Sequence, residues 1–281
     1  MSVTQPLPIL ATAAQAYRLL WRFRVLHAKA IWPPVVFLVT AEFLYHRVVG
    51  KAHGLSGKFD AVLAAHWYVV AGAAVAWLLG LKFLLSFSIS WRRHILLDEP
   101  FDPFFFKRPF WRYLGFLLLT YAWGVPLVGL SGLAAILVAG GHMPRGGELV
   151  VLVLPAAAVA ISLWAIIRQV PFFTVLALDP PQPGWRKSVN VMGGNAGRYA
   201  IVWIMVMLPV VLLNLGLDTG LQLANADPHH VAVALGESAF RQAMLFLHFS
   251  LGASIGACTY MTTLAGGPRA LPLGQPVAVR A

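Results

Sequence analysis

The stretch YAIVWIMVMLPVVLLNLGL, Tyr199–Leu217, contains no charged side chain. A helix needs about 20 mostly apolar residues to cross a bilayer, and this stretch meets that requirement. Five more stretches do the same: Ile31–Val49, Ala61–Ser90, Tyr113–Gly140, Leu149–Leu178 and Ala243–Ala265. The second and fourth exceed a perpendicular span, so they tilt or run on past the bilayer. The expected fold is therefore an all-α polytopic membrane bundle of about six helices forming a single integral membrane domain over residues 1–281.

Composition leads to the same class. Of 281 residues, 59% are hydrophobic and 11% charged, and the mean hydropathy is +0.75. Soluble domains carry roughly 25% charge, so an ordinary soluble enzyme and a disordered chain are both excluded. The net charge is +11. In a soluble protein that would suggest nucleic acid, but here the cations flank apolar stretches, where orientation in the membrane and contact with anionic lipid account for them. No nucleic-acid partner is expected. One cysteine, Cys258, allows no intrachain disulfide and no cysteine metal site. Residues 1–8 lack a basic leader, so the first span is expected to act as an uncleaved insertion signal.

Charge bias orients the bundle. Arg18, Arg22, Arg24, Lys29, Arg92, Arg93, Lys107, Arg108, Arg112, Arg168, Arg186, Lys187, Arg198, Arg269 and Arg280 fall on one side. Only Arg47, Lys51, Lys58, Arg145 and Arg241 fall on the other, and Lys82 lies within the second stretch. The positive-inside rule then places both termini in the cytoplasm. The segment 1–29 reads as a basic amphipathic helix in the headgroup layer, with a new helix starting at Pro33–Pro34. The alternative is one long kinked helix over 11–49.

Two cytoplasmic segments look alike. WRRHILLDEPFDPFFFKRPFWRYLGFLLL from Trp91 and RQVPFFTVLALDPPQPGWRKSVNVMGGNAGRYAIVWI from Arg168 each pass an Asp–Pro turn and re-enter at Arg-Tyr. They are either a repeated loop–helix unit or two membrane edges of similar composition. In the first, aromatic residues surround Lys107, Arg108 and Arg112, as in an interfacial wedge. In the second, Trp185, Arg186 and Lys187 suit headgroup level, Ser188 would cap or back-bond, and Gly193, Gly194 and Asn195 would end a helix through the left-handed conformation. Arg198 would open the next span. Arg108, Arg112, Trp185, Arg186, Lys187, Ser188, Asn195 and Arg198 are the candidate lipid-contact residues.

The order Leu178-Asp179-Pro180, Trp185-Arg186-Lys187-Ser188, Gly193-Gly194-Asn195, Gly197-Arg198 resembles a recurring segment of bacterial multi-pass proteins, namely the glycerophosphodiester phosphodiesterase membrane-domain group and its uncharacterised relatives. Trp185, Ser188, Gly194, Asn195 and Arg198 match the pattern. Met192-Gly193 depart from the Thr-Arg usual there. The resemblance covers residues 165–215 and, more loosely, the six-helix layout. It implies a bacterial inner-membrane protein. It does not carry over the phosphodiesterase activity, because no hydrophilic segment in these residues is long enough for the catalytic barrel.

Charge inside a span costs about 2.5–3.5 kcal/mol on insertion scales. Glu42 lies past the middle of the first span, with His46 one turn on. With His66 and His248 they form a candidate proton-relay or divalent-metal cluster, though no HExxH or HxH spacing supports a metal. Gly252 and Gly256 form GxxxG, which permits close helix packing. No Walker loop, GxSxG or CxxC occurs, and no cofactor is expected. The leading expectation is a non-enzymatic protein that contacts anionic lipid or organises a membrane-protein partner or its own homo-oligomer. A small-solute, ion or lipid transporter is the second.

Overall fold

The computed structural model describes residues 6–53, 67–120, 122, 129, 157, 164, 167–178, 185–224 and 231–263. Among these residues eight helices follow in order: α1 Ile9–Arg22, α2 Arg24–His53, α3 Trp67–Leu97, α4 over 108–120, α5 Ile167–Leu178, α6 Trp185–Gly193, α7 Ala196–Leu223 and α8 Val231–Thr263. No strand occurs among the described residues. Among the described residues, four stretches are long and apolar enough to cross a membrane: Arg24–Leu44, Ala74–Leu97, Ala196–Leu223 and Val231–Thr263. They mark the chain as a membrane protein. Of the expected spans Tyr113–Gly140 and Leu149–Leu178, most residues lie outside those described.

α7 illustrates why hydrocarbon is the solvent. Its buried face is the stripe Tyr199, Val202, Val206, Met207 and Val210, at the spacing of one helix side. Ile201, Ile204, Leu208, Val211, Leu212 and Leu215 stand exposed around the rest. Such a surface is disfavoured in water at roughly 25 cal/mol per Å², and it carries no such penalty against lipid tails.

α8 is the hub. It packs against α1, α2, α3 and α7, while α2 also packs on α3 and α1 on α7. α2 runs antiparallel to α8, since His27 meets Ser250 and Glu42 meets Ser238. α7 is antiparallel to α8 as well, with Met207 against Gly252 and Arg241 bonded to Asp218. The GxxxG pair thus works inside the bundle. Gly252 faces Met207, Gly256 faces α3 and α5, and Ala253 and Ala257 join the core with Phe87 and Trp91. Small side chains bring the helices close where lipid supplies no hydrophobic drive.

The prolines at 33 and 34 do not start a helix. Both lie inside α2, which begins at Arg24. The only interruption is at Phe23, and hydrogen bonds bridge it: Phe23 N donates to Leu19 O and His27 N to Phe23 O. The chain is therefore a nearly continuous helix pair, closer to the long kinked helix. The prolines lack only the bonds to the carbonyls of Lys29 and Ala30. α1 turns Thr12, Ala13, Ala16 and Leu19 inward, towards α7 and α8. Arg18, Arg22, Leu10 and Trp21 face outward. It follows α7 in parallel, because Leu7 N bonds Asn195 Oδ1 and the Tyr17 hydroxyl donates to Val206 O at 2.7 Å. Val206 precedes Pro209 by three residues. A helix disturbed by proline commonly has carbonyls there re-satisfied by a neighbouring side chain. Burial raises the pKa of the Tyr17 phenol, so the donor keeps its proton.

α3 continues past Ser90 to Leu97, and its residues from Ser86 to Arg92 are buried on every side. After Leu97 the chain reverses through Asp98, whose φ of 55° is left-handed. The following loop lies back along α3. Asp102 N donates to Ser90 Oγ at 2.7 Å, and Ser86 Oγ, one turn up the helix, donates to Phe105 O at 2.8 Å. Lys82 Nζ, another turn away, sits 4.9 Å from the Phe106 ring centroid.

Candidate functional site

The reversed loop, α4, α5 and α8 enclose the end of α3, and there the polar side chains gather. His27 Nε2 and Ser250 Oγ lie 2.6 Å apart. Ser250 already gives its only proton to Phe246 O, so His27 must be the donor, with Nε2 protonated. Trp91 Nε1 donates to Ser254 Oγ at 2.9 Å. Arg93 makes a bidentate pair with Glu99 at 2.5 and 2.7 Å and donates to the carbonyls of Ala177 and Leu178. It thereby caps the C-terminus of α5, where unbonded carbonyls and the helix dipole favour a cation.

Arg92 differs from its neighbour. It is 5% exposed, and no carboxylate among the described residues pairs with it. Its Nη1 donates to Ser88 O at 3.1 Å and to Ser88 Oγ. Its guanidinium carbon lies 5.6 Å from the centroid of the Tyr113 ring. Nε of Arg92 has no hydrogen-bond partner, nor do the hydroxyls of Thr174, Thr259 and Ser188 or Nε of Arg168. Thr174, Thr259 and Ser188 are fully buried. Gly256 sits among the first of these groups: a β-carbon there would meet Thr174 Oγ1 at 3.1 Å and both Nε and Nη2 of Arg92 at 3.5 Å.

The sequence-derived candidates distribute as follows. Arg108, Arg112, Arg186 and Arg198 are exposed. Arg198 also donates to Leu7 O at 3.3 Å, which ties the start of α7 to the N-terminal segment. Trp185 and Lys187 belong to α6, and their side chains lie outside the described ones. Ser188 neither caps nor back-bonds; it is buried without a partner, because α6 turns that face inward. Asn195 is not left-handed. Its φ of −114° is that of the N-cap position of α7, without a side-chain cap bond. The amide is drawn away to Leu7 N and, at 3.3 Å, to Val191 O. Gly193 gives room to Arg168, whose Nη2 would lie 2.9 Å from a β-carbon there.

Glu42 accepts from Ser238 Oγ at 2.6 Å and Gln242 Nε2 at 3.3 Å, both on α8. His248 packs edge-on against Trp203 and Phe249. The side chain of His46, and His66 altogether, lie outside the described residues. No group of three His, Cys, Asp or Glu placed to hold a metal occurs among those described.

Sequence reasoning assigned Arg92 to a cytoplasmic loop and passed over Ser86, Ser88, Ser90, Thr174, Ser250, Ser254 and Thr259. The available signal was the run SFSISWRR, residues 86–93, where hydroxyls recur within an apolar segment. Comparison with protein-family models, curated proteins and solved structures finds no match.

Proposed function

We propose that this chain is a multi-pass protein of the bacterial inner membrane, related to the membrane region of the glycerophosphodiester phosphodiesterase group, whose basic end contacts anionic lipid without catalysing a reaction. The observation that carries the reading is the surface of that end. Arg18, Arg22, Arg24, Lys29, Arg108, Arg186 and Arg198 are exposed there beside exposed Trp21 and Trp111. Cations at phosphate level with indole rings among the upper acyl chains form the usual anchoring pair of a membrane interface. With both termini on this side, the basic end faces the cytoplasm, where the leaflet is anionic. Docking of a membrane-protein partner would use the same face.

Native mass spectrometry of the purified protein tests this, with retained lipids identified. An anionic phospholipid enriched over its bulk share, and depleted in the Arg112→Ala, Arg198→Ala double variant, is expected. Retention of lipids in bulk proportion only would overturn the reading.

A further inference from the structure

Lys82 carries a charge within the apolar stretch Ala74–Leu97 of α3, and no carboxylate among the described residues pairs with it. A lysine so placed extends its stem until the ammonium reaches polar surroundings. Here it reaches the tip of the reversed loop. That loop follows α3 for about 12 Å, from Ser90, which binds Asp102 N, to Lys82, whose Nζ lies 4.9 Å from the Phe106 ring centroid. The ring face attracts the ammonium, but among the described residues its three N–H donors find no acceptor. The surface beside it is apolar and open. Phe104 and Phe106 are 55% and 49% exposed. Phe104 packs edge-on against Phe83, and Phe83 against Phe37 of α2. On a spanning helix such rings meet acyl chains, and a cation at their loop-side edge meets the phosphate level of the lipid. Charge selects the headgroup. Lys107 and Arg108 follow Phe106 directly and are exposed. Of the carboxylates in the loop, Glu99 is paired with Arg93, and Asp102 stays beside Ser90 and accepts from Phe104 N. The remaining positive charge favours a headgroup with a net negative charge over a zwitterionic one.

We propose that Lys82, Phe83, Phe104 and Phe106 seat a single anionic phospholipid, with its phosphate on the Lys82 ammonium and one acyl chain along the rings of Phe83 and Phe37. The inference rests on the lipid-contact reading and deepens it: the dispersed cations of the basic end enrich anionic lipid as a class, whereas the seat between loop and helix holds one molecule.

The test uses the full chain in a maltoside detergent, with phosphatidylglycerol and phosphatidylcholine of the same acyl chains added in separate arms and adducts counted by native mass spectrometry. Wild type is expected to hold one phosphatidylglycerol that survives collisional activation after all other lipid is stripped, and to hold no phosphatidylcholine in this way. Lys82→Met keeps the length of the stem and removes the charge. It should reduce retention at least about tenfold, the weight of one hydrogen bond to a charged group, while Lys82→Arg should restore it. The Phe104→Ser, Phe106→Ser double variant changes only exposed rings and should also lower retention with Lys82 in place. No resistant adduct, one kept equally by Lys82→Met, or phosphatidylcholine held as firmly as phosphatidylglycerol overturns the seat. The Arg112→Ala, Arg198→Ala variant separates the two proposals. It should lose the graded enrichment of anionic lipid and keep the single adduct. An adduct indifferent to Lys82→Met, with enrichment still lost in that variant, overturns the seat and leaves the lipid-contact reading standing.

Discussion

Asp98 is the one described non-glycine residue with positive φ. A left-handed residue with a β-carbon is strained by roughly 1–2 kcal/mol, less for Asp than for most, and its carboxylate stands at the negative end of the α3 dipole. Asp98→Gly should therefore stabilise the protein by up to about 1 kcal/mol. Asp98→Val should destabilise it by about 1–2 kcal/mol. Thermal unfolding in detergent reads both, and a Val variant as stable as wild type would contradict the assigned geometry. Tyr17 gives a pH-dependent counterpart. Its folded pKa is raised by burial, so its contribution is complete below the ordinary tyrosine range, near pH 10, and is lost as pH rises through the higher folded value. Tyr17→Phe should lower stability by about 1 kcal/mol at neutral pH through the lost bond to Val206 O. Above about pH 10 the gap between variant and wild type should narrow.

The loop over 98–107 depends on two serines of α3. Ser90 Oγ accepts from Asp102 N in a partly buried bond, and Ser86 Oγ donates to Phe105 O in a buried one. Ser90→Ala leaves a backbone N–H without its partner and should cost about 1 kcal/mol. The matching structural signature is faster amide exchange confined to the loop and the start of α4. Exchange raised evenly over the whole chain would show instead that the loop is not a separate unit. The same loop supplies Glu99 to Arg93, and Arg93 caps α5. The turn after α3 thus helps to hold the end of another helix in place, and through it Thr174.

For the molecule as a whole the open quantity is orientation. Basic side chains crowd the end formed by α1, the C-terminus of α3 and the N-terminus of α7, whereas Asp218, Glu237 and Arg241 pair at the opposite end of α7 and α8. Cys258 is buried, so the wild-type chain should resist a membrane-impermeant maleimide and serve as its own background. In right-side-out vesicles, Asp218→Cys should label and Arg186→Cys should label only after permeabilisation. The reverse pattern would invert the topology and move the lipid-contact face to the outer leaflet.

Much of this was legible in the residues. Apolar stretches about 20 residues long need no knowledge of their neighbours to identify them as spans, because a bilayer constrains each helix separately. That is why Ile31–Val49, Ala61–Ser90, Tyr199–Leu217 and Ala243–Ala265 each overlap a long helix of the structure, and why GxxxG could be read as a packing device. What a side chain meets on another helix was not legible. Arg92 and Arg93 are adjacent in the chain and alike in chemistry. A rotation of about 100° around α3 sends one to Glu99 and the end of α5, and the other into the bundle beside Tyr113, Thr174 and Gly256. Ser188 and Asn195 were read as local capping residues, but Ser188 is buried without a partner and the Asn195 side chain bonds Leu7 of the N-terminal segment. Class and spans follow from the solvent each segment requires. The polar centre follows from which helix faces meet, and only the tertiary structure decides that.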